Sequence, residues 1–149
     1  MPKPLPRKPP LTPLAKALRA ERVKVHENLF FGQVVQRLKV ARWMGPLPER
    51  QFRFLPDRLY RADFAFVFPQ RTAAFGRGLL VEVDGEGHRE KGTGTWVPGG
   101  HHRTKGREAD LERDALAQLA GWRVLRVTPG QVKRGLAVEW AGRLIGAIE

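Results

Sequence analysis

Three acidic residues carry the clearest chemical signal in this chain: Asp63, Glu82 and Asp84. Glu82 and Asp84 are two positions apart in the apolar run Leu79–Asp84. On a strand their side chains point the same way, about 6 to 7 Å apart along the chain. Asp63 interrupts the run Leu59–Phe68, on the face opposite Tyr60, Ala62, Phe64, Phe66 and Phe68. If the two runs pair, three carboxylates converge. Such a group repels itself unless a cation holds it, and hard oxygen donors without cysteine favour Mg²⁺, with Mn²⁺ as a substitute. The alternative is that Glu82 and Asp84 form only the solvent side of an edge strand. Against that, Leu80 shares their face, and isolated carboxylates are costly in apolar surroundings.

Other residues can support such a centre. Arg103, Lys105 and Arg107 stand at the start of a predicted helix, where cations and free backbone amides suit phosphate; they also fit a solvated face. His88, His101 and His102 lie in or beside a glycine-rich stretch, Gly85–Gly100. Their spacing matches no usual zinc pattern, so contacts to substrate or water are the better reading. Asp110, Glu112, Arg113 and Asp114 read as surface pairs on the same helix. Trp96 can stack on an unpaired base or anchor its loop by packing.

The 149-residue chain has a formal net charge of +12, carried mostly by arginine, and no cysteine. A chain this small and basic points to a polyanionic partner, and disulfides are excluded. No apolar run is long enough to span a bilayer. No apolar signal core follows the basic N-terminus, so a soluble, cytoplasmic protein is expected.

Residues 1–13 read as a basic, proline-rich arm in which Lys3, Arg7 and Lys8 can track phosphates. Residues 14–149 read as a single domain. A helix is predicted from Thr12-Pro13, with a second or continued helix over His26–Val40 on the stripe Phe30, Val34 and Leu38. Strands follow at Gln51–Leu55, Leu59–Phe68 and Leu79–Asp84, then a long loop and a helix from Thr104 to about Ala120. A fourth strand, Trp122–Val127, precedes a last helix opened by Thr128-Pro129. The first strands are close enough for a meander, and the last arrives through a helix and can pair parallel. The result is an α/β fold with a mixed sheet flanked by helices.

The run Arg61-Ala62-Asp63-Phe64-Ala65-Phe66, then Leu80-Val81-Glu82-Val83-Asp84-Gly85, resembles the PD-(D/E)XK nuclease superfamily. Gly100-His101, Glu108-Ala109-Asp110 and Gly121–Arg126 extend the likeness, as does the helix, three strands, helix, strand order of a restriction-endonuclease-like core. The run is similar to phage endonucleases of the Holliday-junction-resolvase-like kind and to very-short-patch repair endonucleases, and it covers roughly Glu27 to Arg134. The resemblance implies a Mg²⁺-dependent endodeoxyribonuclease. Asp63 and Glu82 would be the metal carboxylates and Glu27 the helical glutamate of the junction-resolving branch. It further implies four-way junctions or other branched DNA as substrate and a homodimer. Arg61, His101, Arg103, Lys105, Arg107 and the arm would contact DNA. Asp84 stands where the family usually has lysine. Either it is a further metal ligand, or the lysine's role has moved, with Lys105 the candidate. Nicking of duplex DNA by a repair or restriction-type enzyme, or binding without catalysis, are the competing expectations.

Overall fold

The computed structural model describes residues 12–84, 88–89, 96–97 and 104–149. Lys3, Arg7, Lys8, His101, His102 and Arg103 lie outside the described residues, as does most of the arm.

The chain opens with one continuous helix, α1 (Pro13–Val40), where the sequence allowed two. Phe30, Val34 and Leu38, each one turn apart, are buried on a single stripe. The helix closes on Arg42, which takes a left-handed φ of 51°, while the Trp43 amide reaches back to the Leu38 carbonyl at 3.0 Å.

Three strands follow: β1 (Glu49–Arg53), β2 (Arg61–Thr72) and β3 (Gly76–Val83). Both β1–β2 and β2–β3 are antiparallel. Strand β3 starts earlier than the apolar pattern predicts because Gly78 lets it close on β2; a Cβ there would collide with the Phe66 carbonyl oxygen. Inside the glycine-rich stretch, two short strands, β4 (His88–Arg89) and β5 (Trp96–Val97), pair antiparallel. Helix α2 (Thr104–Leu119) then leads to β6 (Trp122–Val127), which lies parallel to β3. The sheet is therefore mixed, in the order β1-β2-β3-β6.

The single last helix expected from Thr128 is two helices, α3 (Pro129–Lys133) and α4 (Leu136–Leu144). Gly135, left-handed at φ 75°, breaks them apart. Thr128 caps α3, and Gln131 returns the hydrogen bond in a capping box.

Two apolar clusters sandwich the sheet. Phe64, Phe66, Leu79, Val81 and Val83 pack with α1, α3 and α4 on one face. On the other, Ala65, Leu80 and Trp122 pack with Ala117 of α2. Ala62 departs from simple alternation: it joins this second cluster with Phe54 and Leu55 rather than lying with Phe64. The molecule is thus α/β, with a four-stranded mixed sheet flanked by helices. Among the described residues no helix is long and apolar enough to cross a membrane.

Candidate functional site

The β2–β3 ladder runs from Phe64↔Val81 toward the hairpin. Continued the other way, the same register would set Asp63 opposite Glu82. The backbone pairing stops short of that point, and the Val83 amide donates instead to Asp63 Oδ2 at 2.8 Å. A side-chain carboxylate thus closes the gap where two strands part. Because the Val83 amide lies in the plane of the sheet, Asp63 can meet groups from both helical layers. From the edge strand, Gln51 Nε2 approaches Asp63 Oδ1 at 3.5 Å.

Glu27 comes near Asp63 from α1, close enough for the Asp63 carboxylate to raise its pKa. Arg50 steadies this corner: its Nη2 donates to Asn28 Oδ1 at 2.7 Å and lies 3.9 Å from Glu27 Oε2. The same guanidinium sits over the rings of Phe31 and Phe64.

Glu82 shares the α2 side of β3 with Leu80 and is only 6 % exposed. Its ion-pair partner is Arg113, with Nη2 at 3.3 Å from Oε1; that nitrogen is also 3.6 Å from Asp110 Oδ1. Further along, Arg126 grips Asp114 through Nε at 2.7 Å and Nη2 at 2.8 Å, and donates from Nη1 to Asp84 at 2.7 Å. Arg126 stands beside Glu82 in the parallel β3–β6 register.

The electrostatics follow from crowding. Burial pushes the Glu82 carboxyl up to about 8, with Arg113 opposing and Asp63 adding to the rise. Burial also raises Asp63, against the Val83 amide that holds its ionised form, and Asp84 adds repulsion. Glu27 is raised by burial and then by Asp63, with Arg50 working against both. Burial alone would lower Arg126, but Asp114, Asp84 and Asp110 outweigh it and hold its proton more firmly.

The structure therefore joins Glu27, Asp63 and Glu82 into one interacting set, but it does not form the three-ligand cluster expected of Asp63, Glu82 and Asp84. No group of three or more acidic or histidine side chains among the described residues is arranged to hold a metal ion. Arg126 of the neighbouring strand engages Asp84, while Arg113 of α2 engages Glu82. Arg61 is exposed, its Nη1 donating to the Gln51 carbonyl at 3.0 Å. Arg107 is exposed on α2, and Lys105 falls in the first turn of that helix.

Asp110 and Arg113 do pair along α2 as the sequence suggested, but the pair is half-buried and extends to Glu82, while Asp114 turns to Arg126 on β6. Their signal was present in the helical period: counting back from the buried Ala117, positions 114, 113 and 110 fall on the same face. No family model, curated protein or solved structure matches the chain.

Proposed function

We propose that this protein is a Mg²⁺-dependent DNA endonuclease with a restriction-endonuclease-like core. The observation that carries this reading is the meeting of Asp63 and Glu82 where β2 and β3 part, with Glu27 behind Asp63. The donor set fits the ion. Mg²⁺ is commonly held by one or two carboxylates, with water and substrate phosphate completing the shell. Asp63 and Glu82 are hard oxygen donors whose pKa values are raised first by burial, with Asp84 adding repulsion at Asp63 and Asp63 at Glu82, the condition a divalent cation relieves. Asp63 and Glu82 would hold it, and when bound it would supply a Lewis acid for a phosphodiester and for the attacking water.

The chain's own residues have distinct parts. The Val83 amide and Gln51 orient Asp63. Glu27 stands beside Asp63 and feels its charge, and Arg50 restrains Glu27. Asp84 acts through Arg126, fixing the end of β3 against α2. Lys105, Arg107 and Arg61, with Arg103 and the arm residues Lys3, Arg7 and Lys8, supply positive charge for DNA phosphates, and His101 a hydrogen-bonding contact. Branched DNA, with the four-way junction foremost, and a homodimer are part of this reading; both rest on the sequence resemblance.

The test is cleavage of labelled four-way junction, fork, mismatch and linear duplex in Mg²⁺ or Mn²⁺. Paired symmetric cuts in the junction support resolution. Cuts only at a mismatch or at a fixed duplex sequence support a repair or restriction-type enzyme. Asp63→Asn and Glu82→Gln are expected to lower cutting at least about a thousandfold while leaving DNA affinity within a few-fold. Full activity in both variants defeats the assignment. A second reading draws on the Arg113–Glu82 pair. If guanidinium charge is all the site needs, the protein binds nucleic acid without cutting it, and tight binding with no product in either metal is the expected result.

A further inference from the structure

The two arginines on the α2 side of the sheet are held very differently. Arg126 makes three short hydrogen bonds, at 2.7, 2.8 and 2.7 Å, that use donors on all three of its nitrogens. Arg113 meets Glu82 and Asp110 through a single nitrogen, at 3.3 and 3.6 Å. Its Nε is buried and has no partner among the described residues. An unpaired buried donor costs free energy, so Arg113 is held by the local excess of negative charge more than by directed bonds. Its charge stabilises ionised Glu82, and that is the service a divalent cation at Asp63 and Glu82 would also perform.

We infer that Arg113 is a displaceable internal countercation of Glu82, which a divalent ion must replace and which thereby sets the site's affinity for that ion. The inference rests on the metal-centre reading above. Arg126, by contrast, is structural: its three bonds tie β6, β3 and α2 together whether or not the ion is bound.

The test is direct Mn²⁺ binding, read from the electron paramagnetic resonance signal of free Mn²⁺, on wild type, Arg113→Met and Arg113→Lys. Removing a unit charge beside the ligand carboxylate should tighten Mn²⁺ binding at least about tenfold in Arg113→Met. Arg113→Lys should stay near wild type. Equal or weaker binding in Arg113→Met, with wild type binding normally, overturns this inference and leaves the metal centre standing. Absence of Mn²⁺ binding in all three proteins overturns the metal centre and the inference with it.

A second measurement needs no variant. In the nitrogen–proton NMR spectrum of the wild type, the Arg113 Nε–H signal should move on Mg²⁺ addition while that of Arg126 stays. An Arg113 signal unmoved at saturating Mg²⁺ also overturns the inference.

Discussion

Glu82 is, with Glu27, one of two buried acids among the described residues. Its carboxyl titrates near 8 when folded, against an ordinary value of 4.5. The consequence for stability has a definite sign. Below about pH 4.5 Glu82 is protonated in both folded and unfolded chains and costs nothing through ionisation. As pH rises from there toward 8, the unfolded chain releases the proton while the folded protein keeps it, so stability falls; above about pH 8 the loss is complete. Metal-free Glu82→Gln should therefore match wild type near pH 4 and exceed it at pH 8, by on the order of 4 kcal/mol. Urea unfolding at pH 4, 6 and 8 with a chelator present checks this; a difference that does not grow with pH contradicts it. Asp63 and Glu27 are raised for the same leading reason, burial, and bias the wild type in the same direction.

The helices bear on the site through their ends and breaks. Gly32 lies within α1, and a Cβ there meets nothing within 4 Å. Gly32→Ala should stabilise the protein by about 0.5–1 kcal/mol, since alanine loses less backbone freedom in a helix. Gly135 also has open space around it, but its φ of 75° is the left-handed conformation that separates α3 from α4. Gly135→Ala should destabilise by about 1 kcal/mol. Denaturant midpoints of the two variants should thus shift in opposite directions, and a shared direction would show that local backbone conformation does not govern these positions. The same contrast explains why one last helix was expected. The spacing of Val132, Leu136 and Trp140 suits a helix, and the interruption depends on a backbone angle that apolar periodicity does not encode.

Across the whole molecule, a net charge of +12 surrounds a patch in which Glu27, Asp63, Glu82, Asp84, Asp110 and Asp114 outnumber Arg50, Arg113 and Arg126. The two signs have separate tasks in the proposed enzyme: the outer charge gathers DNA, and the inner acids bind the ion. DNA affinity should fall steeply with salt, by about a thousandfold between 50 and 200 mM if six or more phosphates are contacted. Asp63→Asn should show nearly the same slope, because Asp63 carries no positive charge and displaces no counterion from DNA phosphates. Fluorescence anisotropy at several salt concentrations measures both, and an affinity indifferent to salt removes the electrostatic account.

The sequence by itself determined the order of α1, the four strands of the main sheet and α2, the bounds of β6, the inward stripe of α1, and the alternation that puts Glu82 beside Leu80 on the α2 side. These are local properties, set by side-chain period and turn residues over a few positions. The tertiary structure decided which charges meet. Asp63 takes the Val83 amide because the β2–β3 pairing ends there. Arg126 takes Asp84 and Asp114 because β6 lies parallel beside β3, and Arg113 reaches Glu82 because α2 packs across that strand. Coulomb energies depend on distances between residues far apart in the chain and on the burial of both partners, and neither quantity exists until the layers have packed.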